Sequence, residues 1–548
     1  MYNAKWSRTE NWVWSQIIKG EDADLSRIDL SVASRDPQHS DDWSNGKKRI
    51  VSPHFLVDIL TKRPFIKKTT HKGVVIKGAL FTEKVDLSFA QLTSNLRIIS
   101  SRFSEEVKMK KVFSSSDISF EKSCFVGPLY MRGLRTELNL FLNNATFQKD
   151  VDLERAEIHG TLSMEGSIFH GMLRMDNIAV DSALCMSKCN DIDTHACNLV
   201  ITSCPKHDYN GAIYKKEILL RGAKIGSCVN MAGAIFEEKL RMENIRIGDH
   251  LYLVCAQIKD SASLLFSEIK TDLDISNSEI RGKLDLTEAK ILSGLRLGCR
   301  EDIQPTWDKN SSIILKNAKV GSISEYSGSW PNKIELSGFV YEHLEGFKND
   351  DKDKFPDRST DWMINWLGKQ NPYTPQPYYQ LSSVLMQEGQ KYKAYEIAYE
   401  GRRRELDIVL CKEIKASAET SYWNCIEPLI RYFANWLQKV TIGFGYRNYL
   451  ALIWASILTL IGCAVLSLCS WCNAEGYSTM TDGRLGDLSK MVAYSFDMLL
   501  PIIHLDENHY HKIHMEGILA VYFYFQQIAG HVIGIFAMAG LSGLTRKI

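Results

Sequence analysis

Apolar residues recur every 11 positions through the middle of the chain. Each member of this column has an apolar residue two positions later, as Val85 has Leu87. Residues two apart lie on the same side of a β-strand, so each pair predicts a short strand with one side turned to a core. The first part of the column consists of Val85, Leu96, Val107, Ile118, Leu129, Leu140, Val151, Leu162, Leu173 and Leu184.

The repeat doubles to 22 positions, because phenylalanine keeps that step from Phe81 to Phe169. After an interruption the apolar column resumes at Ile218, and a second column from Ile225 to Ile291 runs beside it. Inward positions then alternate five and six apart, which predicts four short faces and 22 residues per coil. We expect a mainly β protein, a parallel β-solenoid of about ten coils. It would occupy residues 73–345, with an insertion near 187–216.

An 11-residue repeat is also typical of a right-handed helical coiled coil. The alternating pairs, the glycine-rich corners and the β-branched second column favour strands instead. Because each coil is covered only by its neighbours, the ends require caps. Trp6, Trp12, Trp14 and the segment 50–60 predict a helical N-terminal cap over residues 1–72. Outward positions beside the first column carry mixed charges without a pattern that indicates a ligand.

The periodic pattern stops after Leu336, and a different organisation follows. Residues 346–372 are charged and predict a linker, 373–447 a helical connector, and 448–548 a membrane domain. Uncharged runs at 449–471 and 517–544 are long enough to span a bilayer. Basic residues flank both outer ends, so the positive-inside rule predicts a cytoplasmic N-terminus and C-terminus. Residues 484–503 predict a short amphipathic or re-entrant helix.

A membrane-surface helix is indicated just before the first span. There aromatic residues are interleaved with Lys and Arg, a pattern typical of helices that lie among lipid headgroups. The triplet Arg402, Arg403 and Arg404 is either a solvated helix end or an additional attraction to anionic lipid. The aromatic residues are Tyr422, Trp423, Tyr432, Phe433 and Trp436.

Charge and cysteine content narrow the class of protein. Lys and Arg number 66 against 65 Asp and Glu, so the net charge of +1 gives no electrostatic support for nucleic-acid binding. The 13 cysteines among 548 residues are sparse and irregular, which predicts reduced thiols in a reducing compartment. The first residues, MYNAKWSRTENWVWSQ, do not have the pattern of a secretory signal peptide.

Several segments carry a resemblance to a known family. They are the Trp-rich start, KRIVSPHFLVDIL, GVVIKGALFTEKVDL, TIGFGYR, AYSFDMLLPIIHLDE and AGLSGLTRK. On these the chain resembles an uncharacterised family of bacterial membrane-anchored, pentapeptide-repeat-like β-solenoid proteins. The resemblance implies a right-handed, pentapeptide-like solenoid and a bacterial inner membrane. Some members carry the label membrane-associated oxidoreductase, but no dinucleotide-binding or haem-attachment motif is found in this sequence.

One face of the second span is a candidate functional site. Gln527, Gly530, His531 and Gly534 share that face, and a His at membrane depth indicates a function by default. Gly530 and Gly534 form a GxxxG step, which lets helices approach closely. We expect the face to serve helix packing, homo-oligomerisation or a pore. The potassium-filter sequence TVGYG is absent between the spans, where LLPIIHLDE stands instead.

Two clusters contain residues that could bind a divalent metal. The first lies in the loop between the spans, where the alternative is a solvated loop. The second lies at the interruption of the repeat, where Cys residues could equally belong to the core. The first cluster is His504, His509, His511 and His514, and the second is Cys185, Cys197, Cys204 and His207.

The sequence thus predicts a non-enzymatic membrane protein with no assigned cofactor. Its cytosolic solenoid would present a lateral surface to an unidentified cytosolic protein, and its spans would contact the lipid bilayer and each other. The alternative is an oligomeric pore or defence effector controlled by the solenoid. A third hypothesis is the oxidoreductase.

Overall fold

The computed structural model describes residues 5–27, 47–187, 211–298, 304–326, 328–345, 355–420, 426–472, 477–479, 488–499, 513–515 and 517–543. They fall into two compact units. The first is Met1–Ser359 with Gly368–Tyr373, and the second is Thr360–Leu367 with Thr374–Ile548.

The first unit is a parallel β-solenoid with about 22 residues per coil, which confirms the predicted fold class. Each coil contributes one short strand to each of four faces. In one coil these are Leu96–Ile99 on face 1, Arg102–Phe103 on face 2, Val107–Lys108 on face 3 and Phe113–Ser114 on face 4. Strands on a face pair in parallel with the coil above and below, as Leu96 does with Ile118.

The strands follow the four faces along the chain. Face 1 also contains Ala23–Asp24, Val74–Lys77, Ile118–Ser119, Leu140–Phe141, Leu162–Ser163, Leu184–Cys185, Val229–Asn230, Leu251–Tyr252 and Leu273–Asp274. Face 2 also contains Leu80–Phe81, Cys124–Phe125, Thr146–Phe147, Ile168–Phe169, Ile213–Tyr214, Ile235–Phe236, Gln257–Ile258, Glu279–Ile280 and Thr306–Trp307. Face 3 also contains Val85–Asp86, Leu129–Tyr130, Val151–Asp152, Leu173–Arg174, Ile218–Leu219, Leu240–Arg241, Ala262–Ser263, Lys283–Asp285, Ser312–Ile314 and Lys333–Glu335. Face 4 also contains Gln91–Leu92, Arg135–Thr136, Glu157–Ile158, Ala179–Val180, Lys224–Ile225, Arg246–Ile247 and Glu268–Ile269. Three longer strands, Lys290–Arg296, Lys319–Ser324 and Val340–Glu345, run from face 4 into face 1.

Aromatic rings form a continuous stack inside face 2. The rings of Phe81 and Phe103 are parallel with centroids 4.6 Å apart, and the next pairs follow at similar spacing. Such a stack adds geometric specificity to the burial of large apolar surfaces. It comprises Phe81, Phe103, Phe125, Phe147, Phe169, Tyr214 and Phe236.

The insertion leaves the stacking of the coils intact. Leu173 pairs directly with Ile218, and the ring of Phe169 stacks on Tyr214 at 5.0 Å. The coils on either side of residues 188–210 are therefore neighbours in space. The predicted insertion near 187–216 contains this segment but extends too far, because Ile213–Tyr214 already forms a strand of face 2.

The solenoid has about eleven turns, against the ten that the sequence predicts. The missed half-coils lie at the two ends, at Val74–Lys77, Lys319–Ser324 and Val340–Glu345. Near the second end Leu284 pairs with Ile313 and Ile313 with Ile334, so the coils there depart from the regular step.

Two of the four corners repeat a left-handed backbone. Residues at the corner between faces 1 and 2 and at the corner between faces 3 and 4 have positive φ, such as Lys122 (φ 56°) and Asn144 (φ 54°). This conformation costs an L-residue other than Gly or Asn about 1 kcal/mol. Glycine at some corners, such as Gly133, relieves that cost.

Helices cover the first coils, as the predicted cap requires. They are α1 (Arg8–Lys19), α2 (Pro53–Thr61) and α3 (Arg63–Ile66). Ser7 and Glu10 form a capping box at the start of α1, and Ser52 caps α2. Trp6 packs against Trp14 and Phe55, so the tryptophans join the two helices.

Among its described residues, the second unit is helical apart from one short strand pair. Its helices are α4 (Thr360–Gly368), α5 (Gln376–Gln387), α6 (Lys391–Arg404), α7 (Cys411–Thr420), α8 (Ile426–Ile442), α9 (Tyr449–Cys472), α10 (Leu488–Leu499) and α11 (Ile518–Leu541). A π-helical segment, Glu405–Leu410, joins α6 to α7. Tyr477–Thr479 and Ile513–Met515 pair antiparallel. In the part of the chain that the structure describes, two helical segments are apolar and long enough to cross a membrane, Tyr449–Leu468 and Ala520–Leu541.

Candidate functional site

The short helix α10 packs between the two candidate spans near their middle. The side-chain amide of Gln526 in α11 donates to the carbonyl oxygen and hydroxyl of Ser495 in α10, each at 2.9 Å. The Ser495 hydroxyl donates in turn to the carbonyl of Thr459 in α9, also at 2.9 Å. Gln526 and Ser495 are fully buried. The helix α10 therefore contacts both candidate spans, and its amphipathic or re-entrant position relative to a membrane stays a prediction.

Close backbone contacts explain two glycines in this three-helix module. A Cβ added at Gly530 would lie 1.7 Å from the carbonyl oxygen of Leu499, and one at Gly462 would lie 2.1 Å from the Ser495 hydroxyl. Small residues that let helices approach closely are typical of membrane helix contacts. Around them pack the apolar side chains of Cys463, Leu466, Met491, Tyr494 and Phe523.

The residues of the predicted polar face of the second span differ in their burial. Gly530 lies in the contact with α10, whereas His531 is exposed and Gln527 and Gly534 are half-buried. The imidazole Nδ1 of His531 lies 2.8 Å from the carbonyl oxygen of Gln527, one turn earlier. Within a single chain, Gln526 is therefore buried in the contact with α10, whereas Gln527 and His531 are not. Sequence periodicity does not distinguish it from Gln527, because only the position of α10 decides which side of α11 is covered.

A tight elbow, Gly443–Gly445, joins α8 to the first candidate span. Gly443, Phe444 and Gly445 all have positive φ, and Phe444 is buried. Its ring lies 6.0 Å from that of Tyr399 in α6, and the guanidinium of Arg402 lies 5.5 Å above it. The glycines at either side permit a left-handed turn that L-residues resist.

An ion pair fixes α6 to the start of the first candidate span. The guanidinium of Arg447 lies 2.5 Å from the carboxylate of Glu396 and 4.0 Å above the ring of Tyr399. Both contacts use the planar charge of arginine, which binds carboxylates and stacks on aromatic faces. Sequence periodicity does not indicate this pair, because the two residues lie 51 positions apart.

The predicted surface helix has an exposed apolar side. On α8 the side chains of Leu429, Ile430, Phe433 and Trp436 are exposed and fall on one helical face. Tyr422 and Trp423 lie outside the described residues.

Each arginine of the triplet Arg402, Arg403 and Arg404 forms an ion pair with a carboxylate. Arg403 and Arg404 bind Glu400 at 2.7 Å and 2.8 Å, and Arg402 binds Glu405 at 3.2 Å. Burial acts to raise the pKa of Glu400, but the hydrogen bonds from Arg403 and Arg404 outweigh it and hold that pKa below its usual value. The triplet therefore stabilises the end of α6.

The two metal-binding predictions rest mostly on residues outside the described part of the chain. These are His504, His509, His511, Cys197, Cys204 and His207. His514 lies in the strand Ile513–Met515, and Cys185 is buried on face 1, where desolvation and the nearby Glu165 raise the pKa of its thiol to about 12. Among the residues described by the structure, no group of three or more His, Cys, Asp or Glu side chains could hold a metal ion.

Comparison with known proteins gives no relative. No protein-family model, no curated protein and no solved structure matches this chain.

Proposed function

We propose that the protein is a membrane-anchored scaffold, whose solenoid presents a rigid lateral surface on the cytoplasmic side of a bacterial inner membrane. The support for rigidity is the continuous parallel pairing of strands from coil to coil. Long solenoids serve as extended binding surfaces in general.

The contact that carries the proposal is the one between Arg447 and Glu396. It joins the connector helix α6 to the start of the first candidate span, and Phe444 is buried beside it. A flexible tether requires no such contact, whereas a fixed support does. We propose that the elbow and this ion pair hold the connector rigidly at the membrane surface.

Two measurements test the proposal: whether the protein is integrated in the membrane, and on which side of the membrane the solenoid lies. Full-length protein should stay with membranes after an alkaline carbonate wash and leave them only with detergent. Protease added to sealed inside-out vesicles should digest the solenoid, whereas protease added to right-side-out vesicles should spare it. Release by carbonate, or digestion from the opposite side, would contradict the anchored cytoplasmic scaffold.

A second candidate is an oligomeric pore, which the exposed position of His531 favours. A polar side chain on the outer surface of a span is costly in lipid, so another copy or water is expected to cover it. Dye release from liposomes separates the candidates. A pore should release dye, and the His531→Leu variant should not, whereas a scaffold should retain dye with either chain.

A further inference from the structure

The exposed apolar side chains of the solenoid are concentrated on one side. Within the described solenoid, all the large exposed apolar side chains lie on face 4 or on the two corners that border it. Phe113 and Val340 lie on face 4, Phe89 and Phe266 on the corner between faces 3 and 4, and Leu138 and Leu292 on the corner between faces 4 and 1. They extend from an early coil to the last, so the side they mark runs along the rod.

The second half of face 4 also carries exposed cations. Lys224 lies directly opposite Arg246 in the next coil, and Lys290 lies directly opposite Lys319. Glu268 stands between the two pairs. None of these four cations forms an ion pair with a described residue. Lys270 and Lys316 are exposed nearby.

Like charges placed opposite each other on a sheet repel, so this arrangement is unfavourable by itself. Elsewhere on the solenoid, residues one coil apart carry opposite charges. Lys216 binds Glu238 at 2.6 Å, Arg296 binds Asp272 at 2.6 Å, and Lys259 binds Glu237 at 3.3 Å. In the second half of face 4, by contrast, Lys224 faces Arg246 and Lys290 faces Lys319, with Glu268 as the single carboxylate among them in register. An external anion would relieve the repulsion within each of these two cation pairs.

We propose that face 4 binds the anionic phospholipid headgroups of the membrane that anchors the chain. Lysines and arginines attract anionic lipid, and isolated apolar side chains such as Phe266 and Leu292 can enter the headgroup layer beside them. The cations and the apolar residues together are spread along a rod about 50 Å long, so a surface that meets all of them must be extended, as a bilayer is. The inference rests on the proposed function, because an anchored solenoid has that bilayer within reach.

Lysine protection in reconstituted discs tests this inference. Full-length protein is placed in lipid nanodiscs of phosphatidylcholine alone or with phosphatidylglycerol. Acetylation of Lys224, Lys290 and Lys319 is then read by mass spectrometry. We expect these lysines to react about threefold more slowly in the anionic discs, and to regain their reactivity at about 1 M salt, where the screening length is about 3 Å. Lys122 and Lys149, exposed at the corners that border face 2, should react equally in both discs.

Charge reversal supplies the matched control. Lys290→Glu with Lys319→Glu should abolish the protection of Lys224, whereas Lys122→Glu with Lys149→Glu makes the same change in net charge and should leave it intact. Equal reactivity in both discs would overturn the proposal. So would protection that depends on the number of chains per disc, which indicates a second copy, or protection found only in native membranes, which indicates an acidic protein. Failure of the chain to enter discs at all would instead contradict the anchored scaffold.

Discussion

Glu10 joins the two main helices of the N-terminal cap through a single carboxylate. Its Oε1 accepts a hydrogen bond from the backbone N–H of Ser52 at 2.8 Å, while its Oε2 accepts one from the backbone N–H of Ser7 at 2.6 Å. Ser7 and Ser52 are the N-caps of α1 and α2. One acidic side chain therefore satisfies donors at the starts of two helices.

Replacing this carboxylate should loosen the cap. Burial acts to raise the pKa of Glu10, but the hydrogen bonds from Ser52 and Ser7 outweigh it and lower that pKa from 4.5. Its contribution is therefore present above pH 4.5 and is lost as the pH falls through the lower folded value. Glu10→Gln should destabilise the cap by about 1 kcal/mol at neutral pH. Hydrogen exchange of α1 measures the effect, and Glu21→Gln, at an exposed position, should leave it unchanged.

Tyr214 places a hydroxyl inside the stacked rings of face 2. The side chain is fully buried, and its oxygen has no hydrogen-bond partner among the residues that the structure describes. Desolvation holds its pKa well above the usual value. Tyr214→Phe removes the unsatisfied group and should stabilise the solenoid by about 1 kcal/mol in thermal unfolding. Phe236→Tyr should have the opposite effect, and a loss of stability in Tyr214→Phe would contradict the argument.

The left-handed corners predict opposite effects for two substitutions. Lys122 has φ 56°, a conformation that Asn tolerates better, so Lys122→Asn should stabilise the solenoid by about 0.5–1 kcal/mol. Gly133 has φ 65°, and Gly133→Ala should cost about 1 kcal/mol even though its Cβ would meet only Lys111 Cγ, at 3.4 Å. Denaturant midpoints of the two variants check both signs, and a gain in Gly133→Ala would show that the corners are not strained.

Asp274 should make the stability of the solenoid pH-dependent in the opposite sense to Glu10. Burial raises the pKa of this carboxyl above 3.8, against the hydrogen bonds from Ser276 and the charge of Arg296. The folded state is therefore favoured below pH 3.8 and loses that advantage as the pH rises through the higher folded value. Asp274→Asn should raise the melting temperature at pH 7 and have little effect near pH 3. Equal effects at both pH values would exclude ionisation as the cause.

Substitution of two neighbouring glycines in α11 should have different effects on the stability of the three-helix module. A Cβ at Gly530 collides with the Leu499 carbonyl, whereas one at Gly534 meets no atom within 4 Å. Gly530→Ala should therefore destabilise the detergent-solubilised protein by about 2 kcal/mol, and Gly534→Ala should not. Thermal stability followed by size-exclusion chromatography measures the difference. If Gly534→Ala changes only the oligomeric state, that glycine packs against another copy.

The period of 11 residues was sufficient to predict the solenoid, because every coil places its inward residues in the same geometry. Val107 and Leu129 need no information from the rest of the chain to be assigned to the core. The packing within the three-helix module of α9, α10 and α11 could not be predicted in the same way. Whether Gln526 or His531 is covered depends on where α10 packs, and α10 is distant in sequence.

The basic pattern on face 4 was also missed, for a different reason. Outward residues beside the first apolar column, such as Asp86 and Lys108, carry mixed charges without a pattern. The cations of face 4 lie beside the second column, each one position before an inward isoleucine or valine. Their register becomes evident only when strands such as Lys290–Arg296 and Lys319–Ser324 are aligned.

The insertion at residues 188–210 has a practical consequence. Leu173 and Ile218 pair as if the intervening segment were absent, so extra residues inserted between positions 188 and 210 should leave the hydrogen-bonded ladder undisturbed. This position is therefore suitable for inserting a fluorescent protein or an epitope tag. Such a tag would allow the protein to be followed in cells while both of its termini stay native.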